Sequence, residues 1–308
     1  MRILVTGGAG FIGSHVTDAL IEKGDEVHVI DDLSGGRREQ VNPKATFHLL
    51  DIRDNAVEGL WEKHRFEVVY HLAAQMDVRK SVADPRYDAD INIGGLLNLM
   101  EAGRNNGLRK VVFSSTGGAI YGEPERVPQD EDHTLQPLSP YGITKLCSEK
   151  YLHFYRETYG IEYVALRYGN VYGPRQNPHG EAGVVAIFCE RMLDAKQPFI
   201  YGDGLQTRDY VFVSDVVAAN MKALEYKGSD IFNVGTGVET NVVQLFRALR
   251  DVIDPTLSEI YAPGKPGEQK RSVLDYSKSK SILGWTPQVE VTQGLGVVAN
   301  WFKAGRLK

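Results

Sequence analysis

The sequence predicts an α/β protein, a doubly wound parallel sheet followed by a smaller mixed α/β domain, and three observations carry that expectation. Short apolar runs alternate with amphipathic stretches through the first 170 residues. Runs such as Val111-Val112-Phe113 are apolar without alternation, as strands covered on both faces are. After Asn170 the texture changes, beginning with the loop-forming Gly173-Pro174-Arg175-Gln176-Asn177-Pro178-His179-Gly180. Strand–helix alternation of this kind implies right-handed crossovers and helices on both sheet faces.

In chain order, strands are expected at Arg2 to Thr6, Glu26 to Ile30, Ala45 to Leu50, Glu67 to Tyr70, Arg109 to Ser114 and Glu162 to Arg167. Helices are expected from about Gly10 to Lys23, Asp54 to His64 and Tyr141 to Tyr159, with one long helical stretch from Asp84 to Asn106. Beyond the loop come a helix over about Val184 to Asp194 and a short strand near Phe199 to Tyr201. A further helix begins at Ser214-Asp215 with Ser214 as its N-cap. Ile231 to Val234 reads as a late strand returning to the main sheet, Pro263 to Gly267 as a loop, and two helices follow. The expected organisation is a nucleotide-binding domain over 1–170, with a return around 206–236, and a cap formed mainly by 171–308. A cleft between them would hold substrate.

Bulk properties exclude several classes. With 308 residues, 42% hydrophobic and 24% charged, the chain is long enough to bury a substantial core. Net charge is −5 and the Lys and Arg residues are dispersed, so no nucleic-acid footprint is present. No apolar run reaches the ~18 residues that cross a bilayer, and Met1-Arg2-Ile3-Leu4-Val5 passes directly into a turn, unlike a signal peptide. Cys147 and Cys189 have neither metal-type spacing nor a pairing framework. They read as reduced thiols of a cytoplasmic protein, and no metal ligands are expected.

Gly7-Gly8-Ala9-Gly10-Phe11-Ile12-Gly13 spaces glycines at 7, 10 and 13 between an apolar strand and an amphipathic helix. A lone glycine triplet is weak, but this placement opens a strand–helix–strand unit. Its backbone can approach a pyrophosphate, whose charge the helix N-terminus stabilises. Asp31, about 20 residues on, is placed to bind adenosine ribose hydroxyls. With Asp32 it would repel a 2′-phosphate, so NAD is expected over NADP despite Arg37 and Arg38, which read as a solvated loop.

Tyr141 and Lys145 stand four positions apart on one helix face. A phenol titrates near ~10, and a neighbouring cation favours its ionised form. Tyr-x-x-x-Lys is common by chance. Pro140, however, places Tyr141 in the first turn of its helix, within reach of a site.

Combined with the glycine loop, this pair resembles the extended short-chain dehydrogenase/reductase family, and within it the UDP-glucose 4-epimerases, over nearly the whole chain. Thr6 to His15, Asp51-Ile52-Arg53, His71-Leu72-Ala73-Ala74-Gln75, Arg167 to Pro174 and Thr207-Arg208-Asp209-Tyr210-Val211 carry the resemblance. It implies a Rossmann-type domain and tightly held NAD. The implied cofactor contacts are Gly7, Gly10, Phe11, Ile12, Gly13, Asp31, Asp32, Asp51, Ile52, Leu72, Ala73, Ala74, Gln75, Asn92, Ser114 and Tyr168, with Tyr141 and Lys145. Tyr141, Lys145 and Thr116 are the implied catalytic residues. Thr116, Tyr141, Asn170, Val184, Arg208, Lys265, Glu268, Arg271 and Ser272 are the implied substrate contacts. The implied reaction inverts carbon 4 of a UDP-hexose through a transient 4-keto sugar. A homodimer built on the helices around 84–106 and 141–159 is implied as well.

Three departures qualify the resemblance. Ser114-Ser115-Thr116-Gly117-Gly118-Ala119-Ile120-Tyr121-Gly122 is one residue longer than the common form. The assisting hydroxyl is therefore Thr116, with Ser115 as fallback, and the glycine pair is expected to absorb the insertion through unusual backbone angles. Lys265-Pro266-Gly267-Glu268 replaces an arginine-bearing phosphate motif, so Lys265 and Arg271 share that role as expectations. Counting from Gly267-Glu268, Ser272 falls where some hexose-specific relatives carry a bulky tyrosine; a small residue there would leave room for a 2-acetamido group, so UDP-N-acetylglucosamine is expected to be accepted as well. Of the rival readings, a 4,6-dehydratase would place an acid directly after Thr116, where this chain has glycine. A UDP-glucuronate 4-epimerase needs the same Tyr and Lys. A non-catalytic NAD-binding scaffold need not preserve Tyr141, Lys145 and Thr116 together.

Overall fold

Ile3, Leu4 and Val5 have no exposed surface, because β1 (Arg2–Thr6) is covered on both faces. It is the middle of a parallel run with β2 (Glu26–Asp31), β3 (Thr46–Leu49), β4 (Val68–His71) and β5 (Lys110–Thr116). With β6 (Glu162–Tyr168) and the strand Asp230–Val234, the sheet order is Asp230–Val234, β6, β5, β4, β1, β2, β3. The order reverses between β1 and β4, so successive crossovers leave in opposite directions and open a crevice at the strand ends. The fold is taken from a computed structural model that describes residues 1–179, 183–264 and 269–306. These form two units: Met1–Ile120 with Pro137–Arg167 and Val217–Phe232, and Tyr121–Gln136 with Tyr168–Val216 and the chain from Asn233 on.

In the first unit, Trp61, Phe66, Leu96, Leu99 and Phe113 are among the side chains buried against Leu4 and Val69. Each such side chain contributes roughly 1.5–3 kcal/mol by leaving water. The helix Pro140–Tyr159 follows from its ends. The Ser139 hydroxyl accepts from the Gly142 N–H at 3.2 Å, Pro140 occupies the first turn, and Gly160 closes it at φ 72°. Gly142, Lys145, Ser148, Glu149, Leu152 and Tyr155 form its buried face, while Ile143, Tyr151 and Phe154 face outward.

The long stretch from Asp84 to Asn106 is not uniform. It runs as Pro85–Ala89, a wider π turn over Asp90–Gly94, and Gly95–Arg104. A side chain at Gly95 would meet Ile52 at 2.4 Å, so the last piece packs tightly against that residue. An unanticipated helix, Val78–Ala83, precedes it and is capped by Asp77, whose carboxylate accepts from the Arg79 and Lys80 N–H groups.

The second unit holds a three-stranded sheet in which Thr207–Phe212 lies between Asn170–Tyr172, parallel, and Glu239–Asn241, antiparallel. Helices Val184–Leu193, Val242–Ile253 and Val291–Arg306 pack on one another. The expected cap at Ser214 is corrected. The helix Val213–Glu225 follows Thr207–Phe212 without a break, and Ser214 sits inside its first turn. Residues 121–136, expected with the nucleotide domain, belong to the second unit, where Gln129 bonds to Val273 and Asp275 through the backbone. Among the described residues, no helix is long and apolar enough to cross a membrane.

Candidate active site

The glycine loop fits a phosphate by construction. Gly7 has φ 72°, and a Cβ there would lie 2.7 Å from the Ala73 nitrogen, so β1 and β4 approach too closely for any side chain. A Cβ at Gly13 would lie 2.2 Å from the Gly7 carbonyl. The helix Phe11–Glu22 starts at Gly10 with no side-chain cap, which leaves its first-turn N–H groups for an anion. Phe11 and Ile12 form that first turn. The Asp31 carboxylate accepts from Ala9 N–H at 3.0 Å and Leu33 N–H at 2.9 Å, fastening the end of β2 to the loop. Burial pushes its carboxyl up, against those two hydrogen bonds. Asp32 turns outward and accepts from Ser34. Arg37 and Arg38 are exposed, with Arg38 over the Phe47 ring. The end of β2 therefore presents two carboxylates, with Arg37 and Arg38 turned to solvent.

Asp51 is held by Arg53, which also reaches Asp90, and that hydrogen bonding keeps the Asp51 carboxyl below its usual range. Leu72, Ala73 and Ala74 follow β4 and are partly exposed. Gln75 and Asn92, expected at the cofactor, have their amides engaged with each other's surroundings. Gln75 donates to Asp88 at 2.9 Å and to the Asp77 carbonyl, and it accepts from Asp77 N–H. Asn92 accepts from Gln75 N–H at 2.8 Å and donates toward Asp88 and Thr144. Thr144 in turn donates to Asp88 at 2.9 Å. This buried network, which the sequence reading did not assign, fixes the segment after β4 against the helix bearing Tyr141 and Lys145.

Lys145 is buried and donates to the Ser114 carbonyl at 2.8 Å. Its ammonium lies 5.8 Å from the centre of the Tyr141 ring and 4.8 Å from that of Phe113. Burial lowers it to about 8, opposed by the charges of Asp88 and Glu149. His71, bonded to Thr6 at 2.8 Å, is driven to about 3 by burial and by Lys145, so it is neutral. Tyr141 is partly exposed in the first turn.

Ser115 and Thr116 point to opposite faces of β5. The Ser115 hydroxyl is buried and donates to Glu149 at 2.6 Å, and Glu149 is ion-paired with the buried Arg167 at 2.7 Å. That commitment turns Ser115 into the interior, whereas Thr116 is partly exposed. The Thr116 oxygen also accepts from Ala119 N–H at 3.2 Å, initiating the short helix Gly117–Ile120. The expected unusual angles at Gly117 and Gly118 are corrected. Both are helical and neither has positive φ, because the insertion is taken up as a helical turn.

In the second unit, Asn170 is exposed and pairs in register with Tyr210, two residues beyond Arg208 on the neighbouring strand. Asp209 was not assigned a role, yet it is the anchor of that strand. It is buried and accepts from Thr236 N–H and hydroxyl at 2.7 and 2.6 Å, from Gly237 and from Leu274. Burial raises its carboxyl despite those bonds. Arg208 donates to the Thr207 carbonyl and is partly exposed. Tyr168 is buried, and Val184 begins its helix. Arg271 forks onto Glu239, so its charge is already partnered, and Ser272 is 1% exposed. Lys265 and Glu268 lie outside the described residues.

The model of the NAD dependent epimerase/dehydratase family matches residues 3–235. The UDP-glucose 4-epimerase of Mycolicibacterium smegmatis is 44% identical over 309 residues, covering 98% of this chain and 99% of its own. The structure of Thermotoga maritima UDP-glucose 4-epimerase with UDP-glucose is similar at TM-score 0.97 and 49% identity, covering 99% of this chain and all of that one (100%). Thermus thermophilus UDP-glucose 4-epimerase in complex with NAD is similar at TM-score 0.93 and 44% identity, covering 98% and 99% of the two chains. With the glycine loop, Asp31 and the Tyr141–Lys145 helix in place, these matches show that the chain belongs to the NAD dependent epimerase/dehydratase family.

Proposed function

We propose that the protein is a UDP-glucose 4-epimerase, interconverting UDP-glucose and UDP-galactose with NAD held throughout the cycle. The observation that carries this reading is the end of β5. Thr116 is followed by Gly117-Gly118-Ala119, with no acid to remove further protons as dehydration requires. The nearby acid Glu149 is buried and spent on Arg167 and Ser115. Similarity to UDP-glucose 4-epimerases over almost the full chain supports the same conclusion.

The Gly7–Gly13 loop and Asp31 would hold NAD+, which when bound would supply the hydride acceptor at carbon 4 of the sugar and, once reduced, the hydride donor to the opposite face. Tyr141 accepts the 4-hydroxyl proton in the first half of the cycle and gives it back in the second, so there is no net oxidation. The Lys145 charge favours the tyrosinate that this requires. Thr116 donates a hydrogen bond at the same oxygen. Asn170 and Arg208 hold the pyrophosphate, Arg208 through the bidentate geometry of its guanidinium. Anchoring at the nucleotide alone leaves the keto sugar free to turn.

The outward stripe of Ile143, Cys147, Tyr151 and Phe154 supports a homodimer through this helix face, where Leu146, Cys147, Lys150, Tyr151 and Phe154 line an apolar hollow. Both cysteines are free thiols, in keeping with a cytoplasmic enzyme. Conversion of UDP-glucose to UDP-galactose without added NAD+, abolished in Tyr141→Phe while NAD remains bound, tests the assignment. Retained turnover in that variant would overturn it, and a monomer in sedimentation would overturn the dimer.

A further inference from the structure

Three histidines from three elements converge at the β3 edge of the main sheet. His28 lies on β2, His48 on β3, and His64 is the last residue of the helix Ala56–His64. One ring nitrogen of each lies within 4.8 Å of the other two. Residues 28, 48 and 64 share no spacing that marks a metal site in a sequence; the parallel pairing of β2 with β3 and the helix across them bring the rings together. We propose that these imidazoles form a site for a borderline divalent transition-metal ion, best matched by zinc, separate from the nucleotide-sugar chemistry.

The hydrogen bonding already has the polarity of a ligand set. His28 Nδ1 and His48 Nε2 are 3.0 Å apart, with ring centres 5.3 Å apart and planes within 8° of parallel, so the two rings meet edge to edge. Two ring nitrogens at that distance share a single proton, so one of them aims a lone pair at the other. His28 Nε2 lies 3.3 Å from a Glu26 carboxylate oxygen, which makes Nε2 the protonated nitrogen and leaves the lone pair on Nδ1. A carboxylate behind a ligating imidazole fixes its tautomer and raises its basicity. His48 Nε2 then holds the shared proton. Moving that proton to His48 Nδ1 frees the second ligand nitrogen, and no net proton has to leave.

The geometry is within reach of coordination. Zinc–nitrogen bonds of 2.0–2.1 Å place tetrahedral ligand nitrogens roughly 3.4 Å apart, so the His28–His48 separation is already close, and a turn of the partly exposed His48 ring redirects its nitrogen from His28 to a shared ion. His64 ends its helix and is partly exposed, so a side-chain rotation closes the remaining gap and gives the ion an entry path. Phe66 is the rigid floor, with ring centres 5.0 Å from His28 and 5.7 Å from His64. Three imidazoles with room for water are a donor set that suits zinc, copper or nickel better than magnesium or calcium. An ion there would tie the edge strand to β2 and to the end of the covering helix.

Untagged full-length protein, stripped with a chelator, is titrated with Zn²⁺ by calorimetry and with Co²⁺ by visible absorption. One equivalent of Zn²⁺, a Co²⁺ ligand-field band and a higher melting temperature are expected. His48→Gln and His64→Gln should each weaken binding at least tenfold and lose the band, while metal-free melting and turnover of UDP-glucose stay near those of the parent. Glu26→Gln should weaken binding about tenfold, as loss of a carboxylate behind a ligand does. No binding, or binding that persists in both histidine variants, would show that the rings only pack on one another and on Phe66 and would overturn the proposal. The two variants are independent, so failure of one to fold leaves the other decisive.

Discussion

The Lys145 ammonium donates to the Ser114 carbonyl at 2.8 Å, joining the helix that carries Tyr141 to the strand end that carries Thr116. This bond takes the charge out of water and keeps it 5.8 Å from the Tyr141 ring. The same burial weakens the charge, lowering Lys145 from the usual lysine range to about 8.

Activity and stability should therefore respond to alkaline pH in opposite directions. In the proposed mechanism the Lys145 charge, present below about 8, supports the tyrosinate; above it that support is lost, so kcat should fall. In the unfolded chain the same group keeps its proton to roughly 10.4. Between these values the unfolded state binds the extra proton, so the Lys145 contribution to stability rises with pH. Lys145→Arg, which stays charged, should lose the alkaline limb of the kcat profile. A limb unchanged in that variant would sink the role given to Lys145.

Neighbouring hydroxyls on β5 should separate cleanly between chemistry and packing. Thr116→Val removes a hydrogen bond to a group that becomes charged, about 1.5–3 kcal/mol, and so should lower kcat roughly ten- to hundredfold. Thr116→Ser should restore much of it, and NAD should remain bound in both. Ser115→Ala removes the buried bond to Glu149, so about 1–2 kcal/mol of stability should be lost with kcat nearly unchanged. The reverse pattern, measured by denaturant titration and initial rates, would return the assisting role to Ser115.

The parallel sheet was legible because its signals are local. Val111 to Phe113 reads as a doubly covered strand, and Gly7 is required where a Cβ would lie 2.7 Å from the Ala73 nitrogen. The Tyr141 helix announces itself through Ser139, Pro140 and Gly160. What escaped depends on residues distant in sequence. Glu149 is recognisable as a partner of Ser115 and Arg167 only after β5, β6 and the helix have packed. The amides of Asn92 and Gln75 read as cofactor contacts by motif, yet Asp88 and Thr144, found only in space, engage them. The helix Val242–Ile253 is a different case. Its capping box, Asn241 with Gln244, is a local signal, but it stands in a stretch whose apolar pattern is mixed.

Ser272 offers the sharpest test of substrate range. Its backbone is held on both sides, by Thr207 N–H on the Lys270 carbonyl at 3.0 Å and by Gln129 N–H on the Val273 carbonyl at 2.8 Å. The side chain is 1% exposed, beside Arg271, which is tied to Glu239. If its small size makes room for a 2-acetamido group, Ser272→Tyr should abolish turnover of UDP-N-acetylglucosamine and spare that of UDP-glucose. A tyrosine at so buried a position also risks overpacking, which costs about 1–3 kcal/mol. Melting temperature must therefore be read beside both activities, with Ser272→Ala as the variant that changes chemistry and little volume. Selective loss of the acetamido activity at a near-parental melting temperature would show that position 272 sets substrate size. Equal loss of both activities with a lower melting temperature would place Ser272 in the packing of its unit and remove it from substrate selection.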